Sequence, residues 1–308
     1  MSEQKNKPKD TNFKQQTLPG FQPIYTPKLA SIVFFIASIL FLVFGLPLYL
    51  LAESVIEVSK RYDHICDLTE EETCRITIEI DKQIPEPVFI YYHLSNFYQN
   101  HRLYVRSRSY TQLRDSKASS TELDLCKPAK YNRNFKNYTS DYTERNLKDS
   151  DVAVPCGMVA RSVFTDTYSF PEYEKSLSFD DIVYKSDKDI WVSGDDENGK
   201  WREIDDRLRV WMKISLFSNF RKLWGKIEKN VKKGKLTVLI NNTYDVNKWN
   251  GEKRIVLSNS SALGGKNTAL GIVFIVAGSF CMLCSLIFIV SGVLTKAKYE
   301  GDPRSFKY

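Results

Sequence analysis

The sequence predicts a membrane protein in which two transmembrane α-helices bracket one β-rich, disulfide-stapled ectodomain of antiparallel, sandwich-like α+β character. Three observations carry that expectation. Two long uncharged runs, Leu29–Ala52 and Ala269–Leu294, lie near the ends of the 308-residue chain. Strand-like alternation recurs in the segment between them, and four of the six cysteines fall in that segment.

At about 1.5 Å per residue the first run is long enough for the roughly 30 Å hydrocarbon core of a bilayer. A signal peptide is the competing reading, but the run is too long for one and no small-x-small cleavage site follows it. Gly45 and Pro47 are tolerated there because neighbouring helices can re-satisfy a freed carbonyl. The second run makes the expected organisation a tail at 1–28, a span at 29–52, an ectodomain at 53–268, a span at 269–294 and a tail at 295–308.

The net charge of +7 resides mostly outside the middle segment. Lys5, Lys7, Lys9, Lys14 and Lys28 outweigh Glu3 and Asp10 before the first span, and Lys296, Lys298, Arg304 and Lys307 outweigh Glu300 and Asp302 after the second. The tails hold +5 and the middle only +2, which argues against a nucleic-acid surface. Lysine and arginine beside span ends mark the cytoplasmic side, so both tails are expected in the cytosol and the ectodomain in the lumen or outside the cell.

Cysteine usage agrees, since Cys66, Cys74, Cys126 and Cys156 form an even set in an oxidising compartment. Four cysteines allow three pairings. The sequential one, Cys66 with Cys74 and Cys126 with Cys156, is preferred, and its closures are worth ~2.6 and ~3.7 kcal/mol in the loop-entropy description. Cys281 and Cys284 lie in mid-membrane and read as small, polarizable helix residues.

In the N-terminal tail, prolines break any long helix, yet Phe13–Tyr25 is too aromatic for a merely solvated segment and is expected to dock at the membrane face. After the first span, Glu53–Leu68 reads as a short stalk. Ile76, Ile78 and Ile80 alternate with polar residues as a half-buried strand, and Val88–Leu94 reads as another. Leu94, Phe97, Tyr98, His101 and Val105 recur at helical spacing with Ser95 as cap, predicting a helix with packed aromatics and an arginine rim. Asp115–Ser150 reads as a surface excursion, and Asp180–Glu197 as an acidic solvated turn lacking the oxygens of a calcium loop.

Further on, Leu208, Val210, Met212, Ile214 and Leu216 predict a strand. Phe217, Phe220, Trp224, Ile227 and Val231 predict a helix that starts near Ser218 and stops at Gly234. Lys235–Asn241 and Arg254–Leu257 predict strands. Three N-x-S/T sequons begin at Asn137, Asn241 and Asn259, the last being weakest because it lies beside the second span. Within that span Ala277, Cys281 and Ser285 form a small-residue stripe suited to close approach of another helix.

His64, His93 and His101 form no metal-ligand spacing, and neither a nucleophile elbow nor a phosphate-binding glycine loop is present, so a non-enzyme with no metal and no cofactor is expected. A membrane-tethered hydrolase is the remote alternative. A two-span ligand-gated channel with a disulfide-bonded ectodomain is the nearer one, although neither span carries an ionisable residue to mark an ion path.

Five blocks in order then carry a resemblance: FKQQTLPGFQPIYT from Phe13, LSNFYQNHRLYVRSR from Leu94, PCG from Pro155, FRKLW from Phe220 and LGGKN from Leu263. Together they resemble the cell-division-control-protein-50 family, also called ligand-effect-modulator-3, from about residue 10 to residue 294. The resemblance implies a non-catalytic β-subunit of type IV P-type ATPases, the phospholipid flippases, needed for the pump's export from the endoplasmic reticulum and for a competent transport cycle. It implies a heterodimer in contact with membrane lipids, in the endoplasmic reticulum, Golgi, endosome or plasma membrane. Partner contacts are implied for Phe13, Lys14, Gln15, Gln16, Leu18, Pro19, Phe21, Gln22 and Pro23 in the tail. They are also implied for Asn96, Phe97, Tyr98, Asn100, His101, Arg102 and Tyr104 in the ectodomain, and for Ala277, Cys281 and Ser285 in the second span. This sequence departs from the family in having only Cys66 and Cys74 after the first span, an insert between Cys126 and Cys156, and Thr165-Asp166-Thr167 where a family sequon stands.

Overall fold

The computed structural model describes residues 9–15, 26–68, 73–114, 118–135, 147–190, 200–260 and 264–295. It contains two compact units, one built from the terminal segments and the other from Leu51–Asn267.

In the first unit, α1 (Pro27–Glu53) contains the first uncharged run. Its partner, the C-terminal helix, spans Ala269–Thr295. Both are long and apolar enough to cross a membrane. They run antiparallel, because Gly271, Gly278 and Ser285 meet Tyr49, Leu42 and Ser31 in turn. The seam is a heptad of small residues: Ser31, Ser38 and Gly45 are buried on one helix, Gly271, Gly278 and Ser285 on the other. A strict period of seven keeps one stripe facing its neighbour along both helices, and small side chains let the backbones approach. A Cβ on Gly271 would lie 2.7 Å from the Tyr49 nitrogen. Phe34 on Phe288 and Phe41 on Phe274 close the flanks.

In the second unit the strands are β1 (Glu57–Arg61), β2 (Cys74–Ile80), β3 (Val88–Leu94), β4 (Thr167–Ser169), β5 (Leu177–Ser178), β6 (Phe220–Ile227), β7 (Gly234–Asn241) and β8 (Lys253–Ser258). Short helices are α2 (Arg102–Arg106), α3 (Tyr110–Arg114), α4 (Ser120–Leu123), α5 (Met158–Arg161), α6 (Lys185–Ile190) and α7 (Asp206–Met212), and the C-terminal helix becomes α8. One antiparallel sheet has the order β1-β8-β3-β6-β5, and a second has β2-β7-β4. Their apolar faces share one core, with Ile76, Ile78, Ile80, Val238 and Ile240 from the smaller sheet and Ile90, Leu94, Trp224, Ile255 and Leu257 from the larger. Each aliphatic side chain so buried contributes about 1.5–3 kcal/mol.

The strands with clean alternation lie where periodicity places them, but four expectations are corrected. Glu57–Arg61 is no stalk: it is an edge strand on β8, with Glu57 opposite Ser258 and Arg61 opposite Arg254. Leu208–Met212 is helical, because Asp205 caps Leu208 N at 2.8 Å and burial of Leu208, Trp211 and Met212 follows the i, i+3, i+4 rule. Phe220–Ile227 is a strand. A bulge places Ile90 opposite Gly225 and Tyr91 opposite Leu223, so Trp224 is an extra residue and the buried positions change parity. That shift gives a strand the apolar spacing of a helix. The helix expected around Phe97–Val105 shrinks to α2, with His101 rather than Ser95 before it.

The surface excursion also carries structure. Ser119 and Glu122 form a capping box on α4, and Ala129 and Phe135 enter the core. The acidic stretch contains α6, whose Asp187 and Lys188 pair with Lys213 and Asp206.

Cys66 is bonded to Cys74, and Cys126 to Cys156. After the second bridge Gly157 takes φ +104°, and a Cβ there would lie 2.1 Å from the Ser107 oxygen, so only glycine fits. Beside the first bridge lies a buried polar cluster. The Lys253 ammonium donates to Asp166 (2.7 Å), to Asn242 Oδ1 and to the Tyr244 oxygen. Asp166 also accepts from the Tyr62 hydroxyl and from the Thr243 and Tyr244 amides, while Asn242 donates to the Cys66 oxygen. Burial pushes Lys253 below the ordinary lysine range, and the Asp166 carboxylate opposes that shift.

Candidate docking surface

The block after β3 is divided between the core and the surface. Phe97 is an aromatic hub, its ring 5.2 Å from Trp249, 5.7 Å from Tyr104 and 5.8 Å from Trp211. Tyr104 bonds Ser162 at 2.7 Å, and burial pushes its hydroxyl up to about 12. Both are internal supports. Asn96, Tyr98, Asn100, His101 and Arg102 are exposed.

A second loop, 213–219, is held against this block. The Phe97 amide donates to the Ser218 oxygen at 3.0 Å, the Ser215 amide to Gln99 Oε1 at 2.9 Å, and Asn100 Nδ2 to the Leu216 oxygen at 2.9 Å. Fully buried Gln99 and surface Asn100 thus fix one loop on the other. Facing outward on the joined loops and the start of α2 are Tyr98 (58% exposed), Leu103 (69%), Leu216 (76%) and Phe217 (74%). Arg102 and Arg106 are exposed nearby. Isolated apolar residues on a surface are ordinary, whereas a group of them on loops locked by hydrogen bonds makes this face a candidate for docking.

Beneath the second loop, the Lys222 ammonium donates to the Trp211 oxygen at 2.7 Å and to the Val210 and Lys213 oxygens. Those carbonyls close the C-terminal end of α7, where a cation is favoured. The ammonium also lies 5.2 Å from the Trp211 ring centre. Burial, with Arg108 and Lys213 nearby, pushes Lys222 down to about 7.

Spacing alone assigns Leu216 to a strand and Phe217 to a helix, whereas both lie in the loop before β6. The available signal was two adjacent large apolar residues between Ser215 and Ser218. In the tail, Phe13, Lys14 and Gln15 are exposed, Phe13 at 76%; Gln16, Leu18, Pro19, Phe21, Gln22 and Pro23 lie outside the described residues, as does Asn137. Asn241 ends β7, and Asn259 accepts from the Ile56 amide at 2.8 Å. Of the stripe in the second span, Ser285 faces α1 and donates to the Ser31 oxygen at 2.9 Å, whereas Ala277 and Cys281 are part-exposed. His93 lies in β3, His64 in the turn after β1 and His101 just before α2, and among the described residues no group of three or more His, Cys, Asp or Glu could hold a metal.

Fold and surface together define a two-span membrane protein whose disulfide-stapled antiparallel ectodomain carries exposed apolar side chains on two hydrogen-bonded loops. The chain belongs to the LEM3 (ligand-effect modulator 3) family / CDC50 family, which matches residues 48–298. ALA-interacting subunit 3 of Arabidopsis thaliana is 34% identical over 331 residues, covering 96% of this chain and 89% of that protein. Cell cycle control protein 50A of Bos taurus is 30% identical over 338 residues, covering 92% and 88%. The phospholipid-transporting ATPase accessory subunit CDC50 of Chaetomium thermophilum is 24% identical over 380 residues, covering 97% and 90%.

Proposed function

We propose that this chain is the non-catalytic accessory subunit of a phospholipid-transporting P-type ATPase, forming a one-to-one heterodimer with the catalytic subunit. The observation that carries this reading is the extent of the family match, 48–298, which takes in the end of the first span, the whole ectodomain and the second span. The accessory-subunit name of the Chaetomium relative supports the same role.

In this reading the chain is organised at 1–28, 29–52, 53–268, 269–294 and 295–308; lysines beside the spans support cytosolic tails, and the bridges and sequons support a domain on the other side. Work in the endoplasmic reticulum, Golgi, endosome or plasma membrane fits that arrangement. Binding is the mechanism. The patch of Tyr98, Leu103, Leu216 and Phe217 fits an apolar exoplasmic loop of the pump, and the nearby arginines fit acidic residues beside it. The tail engages the cytosolic side through Phe13–Pro23. A subunit that binds one pump conformation more tightly shifts the cycle toward it, and ~1.4 kcal/mol of preference is a tenfold change in population.

Purification in mild detergent from a source that makes both proteins, followed by mass spectrometry, should yield a P-type ATPase at one-to-one stoichiometry. Recovery of the chain alone or as a homotrimer, with lipid translocation unchanged after its deletion, would overturn the reading.

A further inference from the structure

The segment Trp201–Leu208 enters the core through Trp201, Ile204 and Leu208, all under 5% exposed. Between these anchors, Arg202, Asp205 and Arg207 are held at intermediate depth. The two arginines share one carboxylate: Arg202 Nη2 lies 3.8 Å from Asp205 Oδ1, and Arg207 Nε lies 3.3 Å from Asp205 Oδ2. Asp205 Oδ1 already accepts the Leu208 amide at the start of α7. Two cations therefore face one partly committed anion, leaving a local excess of positive charge. Nearby Asp206 is spent on Arg209 and Lys188.

These arginines line a cleft of about 230 Å³. Trp224 forms part of its wall, and the Arg207 guanidinium stands 5.8 Å from the Trp224 ring and 5.1 Å from the Phe179 ring. Stacking on aromatic faces pre-organises the guanidinium fork. Tyr92, its ring stacked at 4.0 Å on Phe164, also lines the cleft, and burial keeps its phenol protonated, so that it can donate. Thr165 and Thr167 also line it; the Thr165 hydroxyl accepts from the Thr243 hydroxyl at 2.8 Å, which leaves its own proton for an acceptor. Asp166 reaches the same wall, but its oxygens are occupied by Lys253, Tyr62 and two amides, so it brings no free negative charge.

We propose that the Arg202–Arg207 cleft is a binding site for a phosphoryl oxyanion, a phosphate ester or inorganic phosphate. A lining that combines two arginines with tyrosine and threonine residues suits an anion with several acceptor oxygens, and arginine forks match phosphate oxygens in pairs. The volume is several times the roughly 30 Å³ of one water, which leaves room for a small substituent on phosphorus. This assignment is independent of the accessory-subunit reading, because it rests on the cleft alone.

The test uses the full-length chain in mild detergent, with phosphorus NMR line broadening in titrations of sodium phosphate, glycerol 3-phosphate and glycerophosphoethanolamine at constant ionic strength. The expected result is saturable binding of at least one probe, weakened about tenfold or more by Arg202→Gln with Arg207→Gln. Should that pair fail to fold, Arg207→Lys keeps the charge but removes the fork and is expected to weaken binding less. Preference for phosphate or the monoester identifies a soluble source; preference for the diester identifies a lipid headgroup. Either supports the site. No saturable binding below about 10 mM, the range of very weak affinity, or equal binding by wild type and the arginine variants, overturns it.

Discussion

Replacing Asp166 by asparagine tests whether the buried polar cluster holds the ectodomain together. Asparagine retains one oxygen for the Thr243 and Tyr244 amides, but its NH₂ group faces the Lys253 ammonium and the Tyr62 hydroxyl, both donors to Asp166. Lys253 is 1% exposed and has no route to water. Leaving a buried charge without its partner costs ~3–5 kcal/mol, a large share of the ~5–15 kcal/mol that holds a domain folded. For a unit the size of Leu51–Asn267, that loss lowers the melting temperature by roughly 6–20 °C. Thermal melts of the purified full chain give the readout. The double variant Asp166→Asn with Lys253→Met removes both charges and should melt above the single variant. A single variant melting within about 2 °C of wild type, less than the shift for 1 kcal/mol, would refute the reasoning.

Three further outcomes follow from other parts of the molecule. Phe217→Ser with Leu216→Ser should leave the melting temperature within a few degrees, since both side chains are about three-quarters exposed, yet weaken co-purification of the ATPase by about tenfold or more if they are anchors; unchanged recovery removes the patch from the interface. Gly271→Val places its Cβ against the Tyr49 backbone and should lower disulfide yield between Ser31→Cys and Ser285→Cys in a background lacking Cys281 and Cys284; equal yield would contradict the heptad seam. Lys222 sits near 7 when folded against 10.5, so the native state binds fewer protons than the unfolded chain between those values. Its contribution to stability therefore rises with pH across that window and is lost as pH falls toward 7. Lys222→Met should flatten the dependence of melting temperature on pH there, and an unchanged slope would show that Lys222 does not titrate in the window.

How much of this was legible depended on whether one local rule governed a segment. β2, β3 and β7 were readable because one face of each is buried more deeply than the other, so side chains alternate with period two, whereas β8, buried on both faces from Ile255 to Ser258, was readable as a short β-branched run. The region from Leu208 to Val231 misled because two rules overlapped. Trp211 falls off the alternation of Leu208, Val210 and Met212 but belongs to the buried face of α7, and the Asp205 cap was the local sign of that helix. At Trp224 the bulge is set by pairing with β3, residues far away in sequence. The patch was half legible: the block after β3 stood out for its aromatics and amides, whereas the loop that completes it could be found only once Gln99 and Asn100 were seen to bind it.

The sequence by itself determined the two spans and the strands with clean alternation, because hydrophobicity and period are local properties. Tertiary structure alone decided that Glu57–Arg61 joins β8, that Lys253 is matched by Asp166, and that Arg202 and Arg207 line one cleft. It also decided that Ser285 is used against Ser31 inside the chain. Each of these depends on residues far apart in sequence, the arginine cleft through its walls at Tyr92, Phe164 and Trp224, and no local periodicity encodes such a meeting.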